Sequence, residues 1–313
     1  MDIPKFIQRN VSLASLTTFK IGGSAEYFVR ALNLEILKQS LIWAKEKNLP
    51  FFILGGGSNI LVSDKGFSGL VIKNELKKLE KRGDIIIAGS GVLLSEFLEF
   101  ALVNELSGGE FLVGIPGTLG GAVFTNAGLS NQFISNLVQS VYFLDFQFLE
   151  IKRYSNKDCD FSYRHSCFQE KQGLITQIEL KMKNSSQDKI KALMAEYRQK
   201  RANLPSLPSA GCVFKNINLK EISPSSLEKI KKEFGFPEEF CKKGVLPVSW
   251  LLDRMGFKGK TIGKAQVSQK HANFIVNLGG ATADDVLILI SLIKQKVRTK
   301  FGLQLCEEIV YLA

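Results

Sequence analysis

The pattern of hydrophobic and polar positions up to about residue 182 predicts short strands separated by glycine-containing turns. The apolar runs at 51–54, 69–72 and 84–89 are bounded by Gly, Asn or Asp, which is typical of buried strands. At 177–183 apolar residues alternate with polar ones, and this alternation predicts a half-buried strand. The first part of the chain is therefore predicted to be rich in strands.

Helical spacing of apolar residues predicts helices at 34–47, 93–106 and 188–202, and a longer one near the end of the chain. Thr282 and Asp285 give this last helix a start that resembles a capping box, and Gly302 ends it. Its predicted buried stripe consists of Val286, Ile290, Ile293, Val297 and Phe301.

The pattern of apolar residues changes after residue 182 from short strand-like runs to helical spacing. A polar segment at 184–188 leads into the helix predicted at 188–202. The segment 203–210 contains two prolines and is predicted to be extended. The sequence therefore predicts an α+β fold, with a strand-rich amino-terminal part and a mixed carboxyl-terminal domain from about residue 187.

Composition places the chain among globular proteins. It has 313 residues, of which 45% are hydrophobic and 23% charged, which excludes a disordered chain. At about 150 residues per domain this length predicts two domains. The first ten residues show no apolar signal region, and no apolar run approaches the roughly 20 residues of a membrane-spanning helix. We therefore expect a cytoplasmic protein with no membrane partner.

The net charge of +11 comes from 41 Lys and Arg against 30 Asp and Glu. The lysines are dispersed among acidic residues and no nucleic-acid-binding module is recognisable, so we expect no nucleic acid partner. A positive field still favours phosphorylated ligands, although much of this charge is typical of a solvated surface. The five cysteines show no CxxC spacing and the two histidines lie far apart, so no metal site is expected.

Two glycine-rich loops are the strongest chemical signal. In such loops the backbone can approach a ligand closely and direct N–H groups at phosphate. The first loop, at 53–62, contains Gly55, Gly56, Gly57, Ser58 and Asn59. The second, at 113–128, contains Gly117, Thr118, Gly120, Gly121, Asn126 and Gly128. Either loop alone could be a tight turn, but together they favour a ligand with two linked phosphates. Neither GxGxxG nor a Walker A motif is present, so this dinucleotide would be bound by a fold other than the Rossmann fold.

Six blocks occur in the order found in one enzyme family: TTFKIGGSAEYFV (17–29), ILGGGSNILV (53–62), GIPGTLGGAVFTNAG (114–128), FSYRHSCF (161–168), SAGCVFKN (209–216) and IGKAQVSQKHANFIVN (262–277). In these blocks the chain resembles bacterial UDP-N-acetylenolpyruvoylglucosamine reductases, flavoenzymes of peptidoglycan precursor synthesis. The short span between the fourth and fifth blocks resembles the subclass that lacks a substrate-covering insertion.

The resemblance implies an FAD-binding region of the vanillyl-alcohol-oxidase type, in two subdomains, followed by an α+β substrate-binding domain. The implied division is an amino-terminal segment at 1–16, FAD-binding subdomains at 17–75 and 76–186, and the substrate domain at 187–313. It makes the glycine loops the cradle of FAD. It also implies NADPH as hydride donor, the enolpyruvyl sugar nucleotide as acceptor, and a monomer or weak oligomer.

Three residues match the catalytic positions that the resemblance implies. Arg164, in the FSYR block, would stabilise negative charge on the substrate carboxylate. Cys212 stands where the family has the serine that protonates carbon, and a thiol is the stronger acid of the two. Near the end of the chain the family has a catalytic glutamate, and alignment favours Glu308 over Glu307. If Cys212 were only a small buried residue, another group would have to donate the proton.

Five further residues are implied to bind substrate or nicotinamide: Tyr163, Lys215, Asn216, Gln266 and His271. A structural role in its own segment is the alternative for each of them. His165 follows Arg164 directly and is expected on the opposite side of a strand, so a structural role is predicted for it.

Two other functions remain open from the sequence. One is an FAD-dependent sugar or lactone oxidase of the same fold, which would reduce its flavin with substrate and use oxygen. The other is a non-catalytic nucleotide-binding module, for which the replacement of the family's serine by Cys212 is the only support.

Overall fold

The computed structural model describes residues 3–129 and 131–313. The chain divides into two compact units. The first comprises 1–11, 25–57 and 68–202, and the second comprises 12–24, 58–67 and 203–313. The second unit therefore contains two short segments from early in the sequence in addition to the carboxyl-terminal third.

The helices of the described residues are α1 (Leu34–Glu46), α2 (Leu94–Val103), α3 (Leu119–Phe124), α4 (Gln187–Lys200), α5 (Pro224–Phe234), α6 (Glu238–Lys243), α7 (Val248–Arg254) and α8 (Ala283–Phe301). The strands of the same residues are β1 (Gln8–Ser12), β2 (Ser24–Ala31), β3 (Phe51–Leu54), β4 (Ile60–Val62), β5 (Phe67–Asn74), β6 (Leu79–Arg82), β7 (Ile85–Gly89), β8 (Leu106–Ser107), β9 (Gly128–Leu129), β10 (Gln132–Phe133), β11 (Val138–Asp145), β12 (Ile151–Ser155), β13 (Gly173–Lys181), β14 (Lys183–Asn184), β15 (Ser209–Cys212), β16 (Ile217–Asn218), β17 (Val245–Leu246), β18 (Thr261–Ile262), β19 (Ala265–Val267), β20 (Phe274–Asn277) and β21 (Val310–Leu312).

The larger sheets among the described residues of the first unit are one of four strands and one of five, and the pairs β10-β9 and β14-β8 form small two-stranded sheets. One has the strand order β1-β2-β5-β3, in which β3 and β5 are parallel. Helix α1 covers it because Leu37, Leu41 and Ala44 fall on one helical face and are buried. The other sheet has the order β12-β11-β13-β7-β6 and is antiparallel. Helices α2, α3 and α4 contribute buried residues to the core on this second sheet.

The second unit is built on the sheet β15-β20-β19-β18. Helix α8 packs on this sheet, and all five residues of its predicted stripe are buried in the unit's core. Strand β4, which begins directly after Asn59 of the first glycine loop, pairs in parallel with β21 near the end of the chain. This pairing makes the early segment at 58–67 part of the carboxyl-terminal unit.

Most predicted elements are confirmed. The predicted runs lie in β3, β5, β7 and β13, and the predicted helices correspond to α1, α2, α4 and α8. Thr282 caps α8 in a capping box with Asp285, and Gly302 ends it in the left-handed conformation with φ 71°. The mixture of helices and sheets confirms the α+β class. No helix in the described residues is long and apolar enough to span a bilayer.

The predicted strand at Arg164 and His165 is wrong. Ser162 and His165 form an isolated antiparallel bridge, and each donates its N–H to the other's carbonyl at 3.2 Å. Tyr163 and Arg164 are therefore the two central residues of a tight turn. The prediction failed because a turn with φ 55° at its second central position normally carries Gly or Asn, and here it carries Arg164.

Candidate functional site

The glycines of the two loops lie against each other in the first unit. A Cβ atom on Gly56 would lie 2.5 Å from Cα of Gly117, and one on Gly55 would lie 3.2 Å from Oγ1 of Thr118. Gly117 itself has φ 126°, a conformation that strains residues with a side chain. The absence of a side chain at Gly56 is therefore required for the two backbones to meet.

The second loop continues directly into helix α3. Thr118 is its N-cap and accepts from the N–H of Gly121 at 3.3 Å. The N–H groups of Leu119 and Gly120 donate to the carbonyls of Val92 and Ser90, both at 2.9 Å. Three N–H groups at this helix end are thus engaged within the protein. Donors for a phosphate must come from the loop backbones that precede the helix.

Asn126 and Gly128, at the end of the second loop, have roles in the protein's own structure. The side chain of Asn126 is buried, donates to the carbonyl of Ser162 at 2.8 Å and accepts from the N–H of Ser135 at 3.3 Å. A Cβ on Gly128 would lie 2.2 Å from the carbonyl oxygen of Gln132. Asn126 therefore links the second glycine loop to the turn that carries Arg164.

That turn is held from a second side by the carboxyl-terminal end of α3. Ser166 Oγ and Gln169 Nε2 each donate to the carbonyl of Phe124 at 2.8 Å. Gln169 Nε2 also donates to the carbonyl of Arg164 at 3.1 Å. A left-handed conformation costs a residue with a side chain about 1–2 kcal/mol. These contacts explain how Arg164 is maintained in it.

Tyr163 and His165 flank Arg164 in this turn. Tyr163 is exposed, and the guanidinium of Arg164 lies 5.7 Å from the centre of its ring. The ring nitrogens of His165 lie 3.1 Å from the carbonyl of Asp160 and 3.1 Å from Glu170 Oε1. The hydrogen bond to Glu170 raises the pKa of His165. These partners support the structural role predicted for His165.

In the second unit, the residue after the first loop's Ser58 contacts the segment that carries Glu308. The amide of Asn59 donates to the main-chain carbonyl of Glu308 at 3.0 Å, and its own carbonyl accepts from the N–H of Val310 at 2.9 Å. Asn59 and Ser58 are both half-buried. Asn59, which is predicted to bind the cofactor, therefore also contacts the segment of the predicted catalytic glutamate.

Cys212 and Glu308 lie on neighbouring segments of the second unit. The N–H of Glu308 donates to the carbonyl of Val213 at 2.7 Å. The N–H of Lys215 donates to the carbonyl of Cys306 at 2.9 Å. Phe214 and Glu307 form an antiparallel bridge between these bonds. The structure therefore places the end of β15, where Cys212 lies, beside the segment of Glu308.

The surroundings of the two candidate glutamates distinguish them. The side chain of Glu307 accepts from Nζ of Lys294 on α8 at 2.6 Å and is exposed. Successive side chains of an extended segment point to opposite faces. Glu308 is therefore directed away from Lys294, and it is half-buried. This arrangement favours Glu308, as the alignment does.

Asn273 is a residue of this site that sequence analysis missed. It is buried, and its side chain both accepts from the N–H of Phe214 at 3.0 Å and donates to the carbonyl of Phe214 at 2.8 Å. Its own carbonyl accepts from the N–H of Val213 at 2.8 Å. Asn273 thus fixes the chain directly after Cys212. A buried amide of this kind leaves no periodic signal in a sequence.

The other predicted substrate contacts of the carboxyl-terminal part also lie on the second unit. Asn216 Oδ1 accepts from the N–H of Val248 at 3.1 Å, at the start of α7. Gln266 Nε2 donates to Oγ1 of Thr261 at 3.0 Å. His271 packs edge-on against Phe274, its Nδ1 is buried without a hydrogen-bond partner in the described residues, and burial lowers its pKa. Lys215 is half-buried next to Asn216.

Comparison with known proteins identifies the family of this chain. Residues 25–147 match a family model described as FAD binding domain, and residues 201–312 match one described as UDP-N-acetylenolpyruvoylglucosamine reductase, C-terminal domain. A UDP-N-acetylenolpyruvoylglucosamine reductase from Caldanaerobacter subterraneus subsp. tengcongensis is 38% identical over 94% of this chain and 89% of that protein. The chain belongs to the UDP-N-acetylenolpyruvoylglucosamine reductase family.

Other members agree over nearly the whole length. The reductase from Clostridium novyi is 36% identical over 97% of this chain and 91% of that protein. A crystal structure of UDP-N-acetylenolpyruvylglucosamine reductase from Thermus caldophilus matches with a TM-score of 0.77 and 30% identity, over 98% of this chain and all of that one. The predicted family, α+β fold and enzyme class are therefore confirmed. The protein is an oxidoreductase with FAD as its cofactor.

The structure of the glycine loops fits FAD. The side-chain-free contact between Gly56 and Gly117 leaves backbone rather than side chains along both loops, as a diphosphate requires. These loops lie within the part of the chain that matches the FAD-binding family model. The first unit can therefore hold the dinucleotide through Gly55, Gly56, Gly57, Gly117 and Thr118.

Proposed function

We propose that this enzyme uses NADPH to reduce the enolpyruvyl group of UDP-N-acetylglucosamine-enolpyruvate, which yields UDP-N-acetylmuramate. Full-length similarity to reductases named for this substrate supports the proposal. The structural observation that carries it is the pairing of the segments that contain Cys212 and Glu308. The product is a precursor of peptidoglycan, so we also propose roles in cell-wall synthesis, cell shape and division, and a cytoplasmic location, where both nucleotides are available.

The first unit would supply the cofactor site and the charge that the reaction needs. FAD held by the two glycine loops would carry the hydride from NADPH to the substrate. Arg164 would bind the substrate carboxylate, on which negative charge grows as the vinyl group is reduced. A guanidinium is always charged and matches a carboxylate in shape, so it suits this task. Asn126 and Gln169 would position Arg164 through the turn.

Cys212 would donate the proton that completes the lactyl ether. A thiol is a stronger acid than the serine hydroxyl that the family has at this position. After hydride addition at the terminal carbon, the adjacent carbon takes the proton from Sγ, and the thiolate is reprotonated from solvent. Asn273 fixes the chain that follows Cys212 and would hold this donor in place.

Glu308 would accept hydrogen bonds from the substrate and help to orient it for protonation.

We propose five further residues as contacts of the nucleotides: Tyr163, Lys215, Asn216, Gln266 and His271. The four-part domain division and a monomeric or weakly oligomeric state also remain proposals. The hydrogen bonds of Asn216 with Val248 and of Gln266 with Thr261 would position the nucleotide-binding segments of the second unit.

The experiment is turnover with enolpyruvyl-UDP-N-acetylglucosamine, followed by mass spectrometry of the sugar nucleotide. With NADPH we expect a product that is heavier by two hydrogens, and a lower rate with NADH. Deuterated solvent should place deuterium on the carbon that receives the proton, because that proton comes from a solvent-exchanging group. Oxygen consumption with sugars or lactones and no turnover of the enolpyruvyl compound would contradict the proposal and favour an oxidase.

A further inference from the structure

Lys73 is the charged residue of β5, where it follows a buried apolar run, and it has no role in the proposed reaction. It lies near the carboxyl end of β5, where Leu70, Val71 and Ile72 before it are fully buried. β5 runs parallel to β3, and Lys73 pairs in register with Leu54. Gly55, the first glycine of the first loop, follows Leu54 directly. Lys73 is therefore beside the point where β3 leaves the sheet as the first glycine loop.

The ammonium group of Lys73 contacts this loop. Its Nζ donates to the main-chain carbonyl of Gly55. Gly55 is also the residue whose Cβ would lie 3.2 Å from Oγ1 of Thr118 in the second loop. Lys73 is thus next to the junction of both loops. The carboxyl ends of parallel strands are where α/β sheets commonly bind ligands.

The charge of Lys73 has no contacting counter-ion in the described part of the chain. The nearest acidic residue in sequence, Glu75, pairs with Arg30 at 2.5 Å. Burial lowers the pKa of Lys73, and Glu75 only partly opposes this effect. Buried charges in proteins are normally paired because desolvation is costly. A half-buried ammonium beside a phosphate-type loop therefore indicates an anion as its missing partner.

We propose that Lys73 is a cofactor-positioning residue that provides the positive charge for the diphosphate of FAD. One of its three N–H groups holds the carbonyl of Gly55, which keeps the first loop in place. The other two are available to the diphosphate as charge-assisted donors, which are stronger than neutral ones. The inference rests on the FAD assignment and not on the identity of the sugar-nucleotide substrate.

The decisive variant is Lys73→Gln, because glutamine can still donate to the carbonyl of Gly55 but carries no charge. FAD affinity is measured by titrating flavin-free protein while following flavin fluorescence, and riboflavin, which lacks phosphate, is the second ligand. We expect Lys73→Gln to weaken FAD binding about tenfold to 100-fold, as for loss of a charged hydrogen bond. Riboflavin affinity should not change, and Lys73→Arg should restore much of the affinity for FAD.

Lys78→Met is the matched control, because Lys78 is an exposed neighbour that pairs with Glu80 at 2.8 Å. It should bind FAD as the wild type does. The thermal unfolding temperature of the flavin-free protein measures the effect of losing the hydrogen bond to Gly55, separately from the effect of the charge on FAD binding. The inference is overturned if Lys73→Gln binds FAD as tightly as the wild type, or if it loses FAD and riboflavin equally. Neither result depends on turnover, so an incorrect substrate would leave the test intact.

Discussion

The side-chain amide of Asn59 donates a hydrogen bond of 3.0 Å to the main-chain carbonyl of Glu308. Asn59 comes directly after the glycines and serine of the first loop in sequence, whereas Glu308 lies 249 residues further along. The parallel pairing of β4 with β21 continues from this contact, with Ile60 opposite Val310. The chain that leaves the first glycine loop is thus fixed to the segment that carries the proposed catalytic glutamate.

We predict that Asn59→Ala lowers kcat about fivefold, because the loss of one part-buried hydrogen bond of about 1 kcal/mol leaves Glu308 less well positioned. The measurement is steady-state turnover together with thermal unfolding. Ser63→Ala is the control variant, because it removes another polar side chain of the segment 58–67 and reports any loss of kcat that comes from destabilising this segment in general. A variant with wild-type kcat would contradict the proposed link between Asn59 and Glu308.

The two adjacent glutamates offer a matched pair. Glu308→Gln should lower kcat about 100-fold or more, which is typical for loss of a group that acts in proton transfer or orientation. Glu307→Gln should retain activity, because Glu307 pairs with Lys294 at the surface. Such exposed pairs contribute about 0–1 kcal/mol to stability. The reverse pattern of activities would assign the catalytic role to Glu307.

Cys212 is tested by rapid mixing of the NADPH-reduced enzyme with the sugar nucleotide. We predict that Cys212→Ala still oxidises NADPH but that its flavin is reoxidised by substrate about 100-fold to 10,000-fold more slowly, as for loss of a general acid. Cys212→Ser should restore most of the rate, because the hydroxyl occupies the same place. Cys241→Ala, at an exposed thiol on α6, is the control. Normal reoxidation in Cys212→Ala would exclude Cys212 as the acid.

The turn at Arg164 predicts opposite effects on activity and stability. Arg164→Gly removes the guanidinium and relieves the left-handed conformation, so activity should be lost while stability is unchanged or higher by about 1 kcal/mol. Gln169→Ala removes donors to Phe124 and Arg164 and should raise KM for the sugar nucleotide with a smaller effect on NADPH oxidation. Gln172→Ala, at an exposed glutamine three residues further along, is the control variant for Gln169→Ala. If Arg164→Gly also destabilised the fold, the turn would be held by the arginine side chain.

The location of this turn shows where prediction from sequence stopped. The helix α8 is predictable because Thr282, Asp285 and Gly302 are local signals that agree with its apolar stripe. At Arg164 the local residues favour a strand, and the turn is instead held by Asn126 and Gln169, which contact it only in the folded chain. Local patterns cannot reveal hydrogen bonds of that kind.

In the candidate site, too, some residues leave a local signal in the sequence and others do not. The glycine loops could be predicted because a run of residues without side chains is visible in the sequence. Asn273 could not, because a buried side chain that binds main-chain groups, as Asn273 binds those of Phe214, follows no spacing rule in the sequence. Lys73 did leave a signal, since a lysine within a buried apolar strand is unusual.

His271 makes stability depend on pH. Burial lowers its pKa in the folded protein, while in the unfolded chain the value is about 6.5. Between these two values the unfolded chain binds more protons, so stability is fully present above about pH 6.5 and is lost as pH falls. We predict that His271→Gln flattens the fall in the urea midpoint between about pH 7 and 5. An unchanged slope in His271→Gln would show that other groups cause it.

The central claim is tested most directly by an anaerobic visible spectrum of the purified protein, with NADPH added first and enolpyruvyl-UDP-N-acetylglucosamine second. We predict a flavin spectrum that is bleached by NADPH and recovers when the sugar nucleotide is added. Recovery would report the reductive and oxidative half-reactions in one sample. A flavin that NADPH fails to bleach, or that stays bleached after the sugar nucleotide is added, would contradict the proposed reaction.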